Sequence, residues 1–261
     1  MLLTLAILVV SQTAKPESAG HTIQDCSQCP PMVVVPGLDS YLPNLVIARH
    51  ELTWREYIPS VIESSCPLPE PEGKFGFPKD IRLLADDFPM VGLPPAEISC
   101  YLDWLKRKTG RSYRLPTGQE WVHAAKAGAT TTFPWGNEIG HDNAAIATRY
   151  SKKREPRFHD PRQWVSFTEM VAVEQFKPNA WGLHDVVGNV AEYTSDSRPG
   201  DAACLARLDA TRCRRMETRG GGKGIISVRL GQGEVTQADP INIPVYSFQM
   251  SQPIGYRLVR D

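Results

Sequence analysis

The chain has 261 residues, 29 basic side chains against 29 acidic ones, and a hydrophobic share of 41%. That length suits one large domain or two small ones, and the apolar content excludes wholesale disorder. A formal charge of zero excludes a global attraction to nucleic acid or to an anionic membrane surface.

The 22 prolines and 20 glycines point to a loop-rich fold with short regular elements. Met1 to Val10 are almost wholly apolar and Ser11-Gln12-Thr13 turns polar. The run is too short to span a bilayer and has the length of a signal-peptide core, although no basic segment precedes it. Residues 1–25 are therefore read as signal and linker. The expected location is exported, periplasmic or secreted, with no membrane span in the mature chain. Six cysteines follow: Cys26, Cys29, Cys66, Cys100, Cys204 and Cys213. An even number in an exported chain implies disulfides, and the sequence does not choose among the fifteen pairings that six allow. Cys204 and Cys213 sit close enough to clip one polar loop. The Cys26-x-x-Cys29 pair reads as structural, because no βαβ pattern follows it.

Strands are predicted at 32–35 and 45–48. Thr53-Trp54-Arg55-Glu56 has capping-box spacing and starts a helix, with Tyr57, Ile58, Val61 and Ile62 on one stripe and Pro59 set to kink or shorten it. The Pro-, Gly- and charge-rich segment 66–87 reads as a surface loop. A second helix runs from about 95 to 109 on Ile98, Tyr101, Leu102 and Leu105, and Gly110 stops it. A third starts at Thr117, where Thr117-Gly118-Gln119-Glu120 repeats the capping box. It carries Trp121, Ala124 and Ala125 inward and ends at Gly128. Beyond 129, helical periodicity fades into short apolar runs between turns, which predicts one α+β domain.

Several phrases then occur in order. Arg114-Leu115-Pro116-Thr117 leads to Glu120-Trp121, Ala124-Ala125 and Phe133-Pro134-Trp135-Gly136-Asn137-Glu138. Pro178-Asn179-Ala180-Trp181-Gly182-Leu183-His184-Asp185 leads to Gly188-Asn189-Val190-Ala191-Glu192 and Thr194-Ser195-Asp196. Arg219-Gly220-Gly221 follows, and Gly255-Tyr256-Arg257-Leu258-Val259 closes the chain. With Asp25-Cys26, Cys29-Pro30, Met32-Val33 and His50-Glu51-Leu52-Thr53, this order resembles the sulfatase-modifying-factor family, the formylglycine-generating enzyme domain. The resemblance covers roughly residues 25 to 261. It implies a C-type-lectin-like α+β fold in a single domain over 26–261.

In the formylglycine-generating members, a Lys/Arg-Gly-Gly-Ser segment precedes two cysteines that bind copper(I). Laid on this chain from Arg219, the serine position is Gly222 and the cysteine positions are Ile225 and Leu230. Neither side chain ligates copper or exchanges disulfides, so formylglycine generation and copper are not expected. The six histidines are scattered with no i, i+4 pair, and each reads as a surface or core residue. Arg114 and Arg257 are expected to pair with carboxylates or carbonyls inside the fold.

The resemblance also implies a structural calcium ion at Asp185, Gly188, Val190 and Glu192. Hard carboxylate oxygens and turn carbonyls suit that ion. A looser second site begins at Asn143. The expected function is an exported calcium-ordered binding or regulatory module, of the type VI secretion kinase-regulator kind. A groove at Arg219, Gly220, Gly221 and Gly222 would take a periplasmic protein partner or a small molecule. The alternative is an oxidoreductase of the pyoverdine-maturation kind with a site that uses no cysteine. The two part on whether buried polar groups with perturbed pKa values line that groove.

Overall fold

The structure is a computed structural model and describes residues 20–37, 44–69, 87–138, 143–145, 170–198, 215–221, 245–247 and 254–261. The expected signal segment, most of the Pro-rich loop, Cys204 and Cys213, and Gly222, Ile225 and Leu230 lie outside the described residues.

The first sheet comprises β1 (Thr22–Ile23), β2 (Met32–Val35), β3 (Leu45–Ala48), β4 (Tyr113–Arg114) and β9 (Val259–Arg260) in the order β1-β2-β3-β9-β4. Every pairing in it is antiparallel, with Val33 opposite Ile47 and Ile47 opposite Val259. Because β1 pairs with β2, the fold begins a few residues before the linker boundary expected at 25. β2 is buried on both faces, which explains its unbroken apolar run rather than an alternating one.

The second sheet holds β5 (Ala191–Arg198), β6 (Arg215–Arg219), β7 (Val245–Ser247) and β8 (Ile254–Tyr256), in the order β7-β6-β5-β8. β5 and β8 run parallel. Between β8 and β9 the chain crosses from the second sheet to the first at Arg257-Leu258. The crossing is fastened where the Ala48 N–H donates to the Leu258 carbonyl at 2.8 Å and the Leu52 N–H donates to the Tyr256 carbonyl at 2.7 Å.

The three expected helices all form, the first and third at their expected starts. α1 (Trp54–Ser64) and α3 (Gly118–Lys126) each open on a complete capping box, from Thr53 with Glu56 and from Thr117 with Glu120. Pro59 is accommodated inside α1, which continues to Ser64. α2 (Ile98–Thr109) starts a turn later than expected, at an N-cap Glu97 with no side-chain cap, and ends on the left-handed Gly110. Cys66–Cys100 ties the end of α1 to the start of α2, and Cys26–Cys29 closes a tight turn before β2.

Two apolar clusters result. One gathers Met32, Tyr57, Tyr101, Trp104, Leu105 and Tyr256 beneath α1 and α2. The other gathers Val33, Ile47, Trp121, Phe133, Leu183 and Val259 beneath α3. Met32 and Val33 are consecutive yet serve different clusters, so the first sheet divides the core. Trp104 and Trp121 are buried, and Trp135 and Trp181 are half-buried.

Candidate functional site

The Asp185–Glu192 segment is a curled turn. Asp185, Gly188 and Asn189 adopt φ of 56°, 87° and 51°. These residue types tolerate the left-handed region. The turn is braced from three directions. The Gly188 N–H donates to the Gly220 carbonyl at 3.0 Å and the Asn189 N–H to the Ala145 carbonyl at 2.8 Å. Glu51 accepts the Val190 N–H at 3.1 Å and the Asn189 side-chain amide at 2.8 Å. Glu51 is fully buried. Burial, then the charges of Asp185 and Glu192, push its carboxyl well above the usual range. Asn143 lies in the short described segment that also supplies the Ala145 carbonyl, so the two expected calcium regions adjoin.

Glu192 and Arg257 form a bidentate pair between the sheets, with Arg257 1% and Glu192 0% exposed. Arg257 Nη2 reaches Glu192 Oε1 at 2.7 Å, and Arg257 Nε reaches both oxygens at 3.1 and 2.9 Å. The Trp121 indole N–H donates to Glu192 Oε2 at 2.5 Å. Arg257 also donates to the carbonyls of Ala48 and His184, which fixes the crossing of the chain. Burial works against the guanidinium charge. Glu192, Glu51 and Asp185 outweigh it and hold Arg257 ionised.

This arrangement divides the expected calcium ligands. The lone pairs of Glu192 are spent on Arg257 and Trp121, so its carboxylate does not fit a cation alongside them. Asp185 accepts the Glu174 N–H at 2.7 Å through Oδ2, and burial raises its pKa. Among the described residues, no three His, Cys, Asp or Glu side chains are disposed to hold a metal. An ion here would rest on Asp185 and on main-chain carbonyls such as those of Gly188 and Val190.

A second polar group lies beside the turn. Arg49 Nη2 pairs with Glu174 Oε1 at 2.6 Å. His50 Nε2 stands 3.5 Å from Glu174 Oε1 and 3.7 Å from Glu56 Oε1. The phrase His50-Glu51-Leu52-Thr53 was legible as a resemblance. The roles of His50 and Glu51 were not, because Glu174, Asn189 and Val190, which they face, lie far along the chain.

At the groove, Arg219 pairs with Glu217 at 2.5 Å, and Asp196 Oδ2 accepts the Gly118 N–H at the start of α3 at 2.7 Å. Gly220 has φ 84°, and a Cβ there would stand 3.2 Å from the Trp121 ring. Gly221 also lies in the left-handed region. The Arg-Gly-Gly phrase thus lets the chain pass close over Trp121. Arg114 pairs with Glu120 at 2.7 Å and with Asp261 at 2.9 Å, so both arginines read as internal partners are so placed. The four described cysteines are all in disulfides, and no free thiol occurs among the described residues.

One antiparallel sheet, one mixed sheet and three helices define a C-type-lectin-like α+β domain of the formylglycine-generating kind. Residues 21–261 match the family described as sulfatase-modifying factor enzyme 1-like domain, and the chain belongs to that family. It is 31% identical over 139 residues to the formylglycine-generating enzyme of Mycobacterium tuberculosis, covering 51% of this chain and 43% of that protein. It is 32% identical over 114 residues to the inactive C-alpha-formylglycine-generating enzyme 2 of Bos taurus, covering 42% of this chain and 33% of that protein. The matched region thus spans less than half the length of these relatives. Among solved structures, PvdO from Pseudomonas aeruginosa shares the fold with a TM-score of 0.65 at 21% identity, over 94% of this chain and 99% of that one.

Proposed function

We propose that this protein is an exported binding or regulatory module that does not generate formylglycine. The observation that carries this reading is the pair Ile225 and Leu230 at the positions that copper-binding cysteines occupy in the active members. Formylglycine generation in the active members requires two thiolates, because soft sulfur ligands hold copper(I). The inactive enzyme 2 of Bos taurus is a relative whose name carries the same separation of fold from activity. The binding face of this reading is the groove expected at Arg219, Gly220, Gly221 and Gly222, where Gly220 passes close to the Trp121 ring. A periplasmic protein segment or a small ligand is the expected occupant. A structural calcium ion at the 185–190 turn belongs to this reading, held by Asp185 and the carbonyls of Gly188 and Val190, without Glu192.

The test is incubation of the purified chain with copper(I) and a cysteine-bearing sulfatase peptide, with an active relative as control. Aldehyde capture is expected from the control and not from this chain. Native mass spectrometry with and without chelator is expected to show calcium and no copper. Aldehyde formation, or stoichiometric copper or iron, overturns the reading.

A second reading, an oxidoreductase of the pyoverdine-maturation kind, is favoured by the buried titratable groups Glu51, Glu56 and Asp185 beside the turn that Gly220 braces. It predicts a bound organic or redox-active species in the same mass spectra, which the binding module lacks.

A further inference from the structure

Two disulfides occur among the described residues, and they differ in what the bond holds. Cys66–Cys100 joins α1 to α2 across 34 residues. Cys26–Cys29 spans 3 and lies in the connection between β1 and β2. Closing so short a loop removes little freedom from the unfolded chain, so the fold gains less from this bond than from the other.

The two sulfurs of the short bond are not equivalent. Cys29 is 1% exposed and packs into the apolar cluster beneath α1 and α2. Cys26 is half-buried at the edge of that cluster, with Gln24, Ser27 and Gln28 exposed around it. A thiolate attacks a disulfide sulfur in line with the bond, from the side away from the sulfur that leaves. With Cys29 inside and Cys26 outside, that approach reaches Cys26 from solvent and makes Cys29 the leaving group. Attack on Cys29 would have to come through the core.

The turn does not depend on the bond for its shape. The Cys29 N–H donates to the Cys26 carbonyl at 3.0 Å, and the Gln24 side-chain amide donates to the Cys29 carbonyl at 3.0 Å. Asp25, next to Cys26, accepts from Arg260 Nη1 at 2.7 Å through Oδ1 and from the Tyr113 hydroxyl through Oδ2. These bonds tie the turn to β9 and β4. On either side of the turn, β1 and β2 pair with Thr22 opposite Val33 and Ile23 opposite Met32. The contacts that hold Cys26 and Cys29 5.0 Å apart at Cα therefore do not pass through sulfur. Opened, the two thiols stay side by side and ready to close again.

We propose that the Cys26–Cys29 turn is a thiol–disulfide exchange site whose partner is a protein dithiol. The partner's thiolate attacks Cys26 Sγ, the bond to Cys29 breaks, and Cys29 leaves as a thiolate that takes a proton from water. The partner's second thiol gives up its proton to water and attacks its own sulfur in the mixed disulfide. That releases Cys26 as a thiolate, which is protonated in turn. Two electrons pass to the turn, which ends as two thiols, and the partner ends as a disulfide. The reverse sequence closes the turn again. The site is separate from the binding face at Arg219–Gly222 and needs no metal.

The test begins with Cys29→Ser, which leaves the Cys26 thiol at the rim, and Cys26→Ser, which leaves the Cys29 thiol in the core. With Ellman's reagent and no denaturant, Cys29→Ser is expected to react at least about tenfold faster, because exposure governs thiol reactivity. The second measurement needs no variant. The full oxidised chain is incubated with reduced thioredoxin as the dithiol probe, then alkylated and mapped by mass spectrometry. Cys26 and Cys29 are expected to carry label in a chain that keeps the fluorescence of its buried Trp104 and Trp121. Equal rates for the two variants, a faster Cys26→Ser, no label on the pair unless denaturant is added, or label gained only with loss of the native fluorescence overturns the proposal.

Discussion

Removing the Arg257 guanidinium leaves Glu192, Glu51 and Asp185 as mutually repelling carboxyls in a space that water does not reach. The pair is buried and bidentate, so breaking it by one partner costs far more than the net worth of the pair. Arg257→Met is expected to lose about 3–5 kcal/mol in urea unfolding. A loss near zero would mean that the carboxyls are already neutralised by something other than Arg257. Gly118 makes the opposite kind of argument. At an exposed helix start, Gly→Ala commonly gains about 0.5–1 kcal/mol. Here the new Cβ would fall within the carboxylate of Glu217 and 2.9 Å from Asp196 Oδ2. Gly118→Ala is therefore expected to lower the unfolding midpoint, and a rise would show that Glu217 can swing aside freely.

The helices show what local spacing can specify. Each capping box is a pattern four residues long, and both closed as drawn. Thr117→Ala removes the acceptor for the Glu120 N–H and is expected to cost about 1 kcal/mol, measured as a shift in urea midpoint with unchanged slope. The second sheet was less legible. β5 reads Ala-Glu-Tyr-Thr-Ser-Asp-Ser-Arg, with polar groups where a core strand would place apolar ones. Glu192 is buried because Trp121 and the Arg257 crossing satisfy it, Asp196 is held by the start of α3, and no short window of sequence contains those partners. Glu51 lies 138 residues from Asn189, and for the same reason its burial was hidden. The disulfides divide in the same manner. Cys66–Cys100 spans 34 residues and joins two helices, whereas Cys26–Cys29 spans 3. In the chain-entropy account, the longer loop contributes roughly 3–4 kcal/mol and the shorter one distinctly less. Replacing Cys66 and Cys100 by serine should therefore lower the melting temperature more than replacing Cys26 and Cys29. The reverse order would show that the short clip holds β2 in place by more than loop entropy.

The two apolar clusters hang on one set of strands, and that bears on how the molecule comes apart. Val33 and Ile47 face the α3 cluster, while Met32 and Ala48, their neighbours in the same strands, face the α1–α2 cluster. Neither side of the sheet can lose its packing without exposing the backbone ladder that the other side uses. Each cluster carries its own buried reporter, Trp104 in one and Trp121 in the other. Ile47→Ala and Leu105→Ala should each cost about 2–5 kcal/mol. Either change should move the whole transition rather than half of it. The check is to unfold both variants, in backgrounds that retain Trp104 or Trp121 as the main emitter, and to compare each fluorescence curve with far-UV circular dichroism. Coincident curves make the sheet a shared wall between two inseparable cores. Two separate midpoints would mean that α3 and its cluster unfold as a unit, which would leave the Arg219–Gly221 face as a surface that opens locally while the remainder of the fold stays intact.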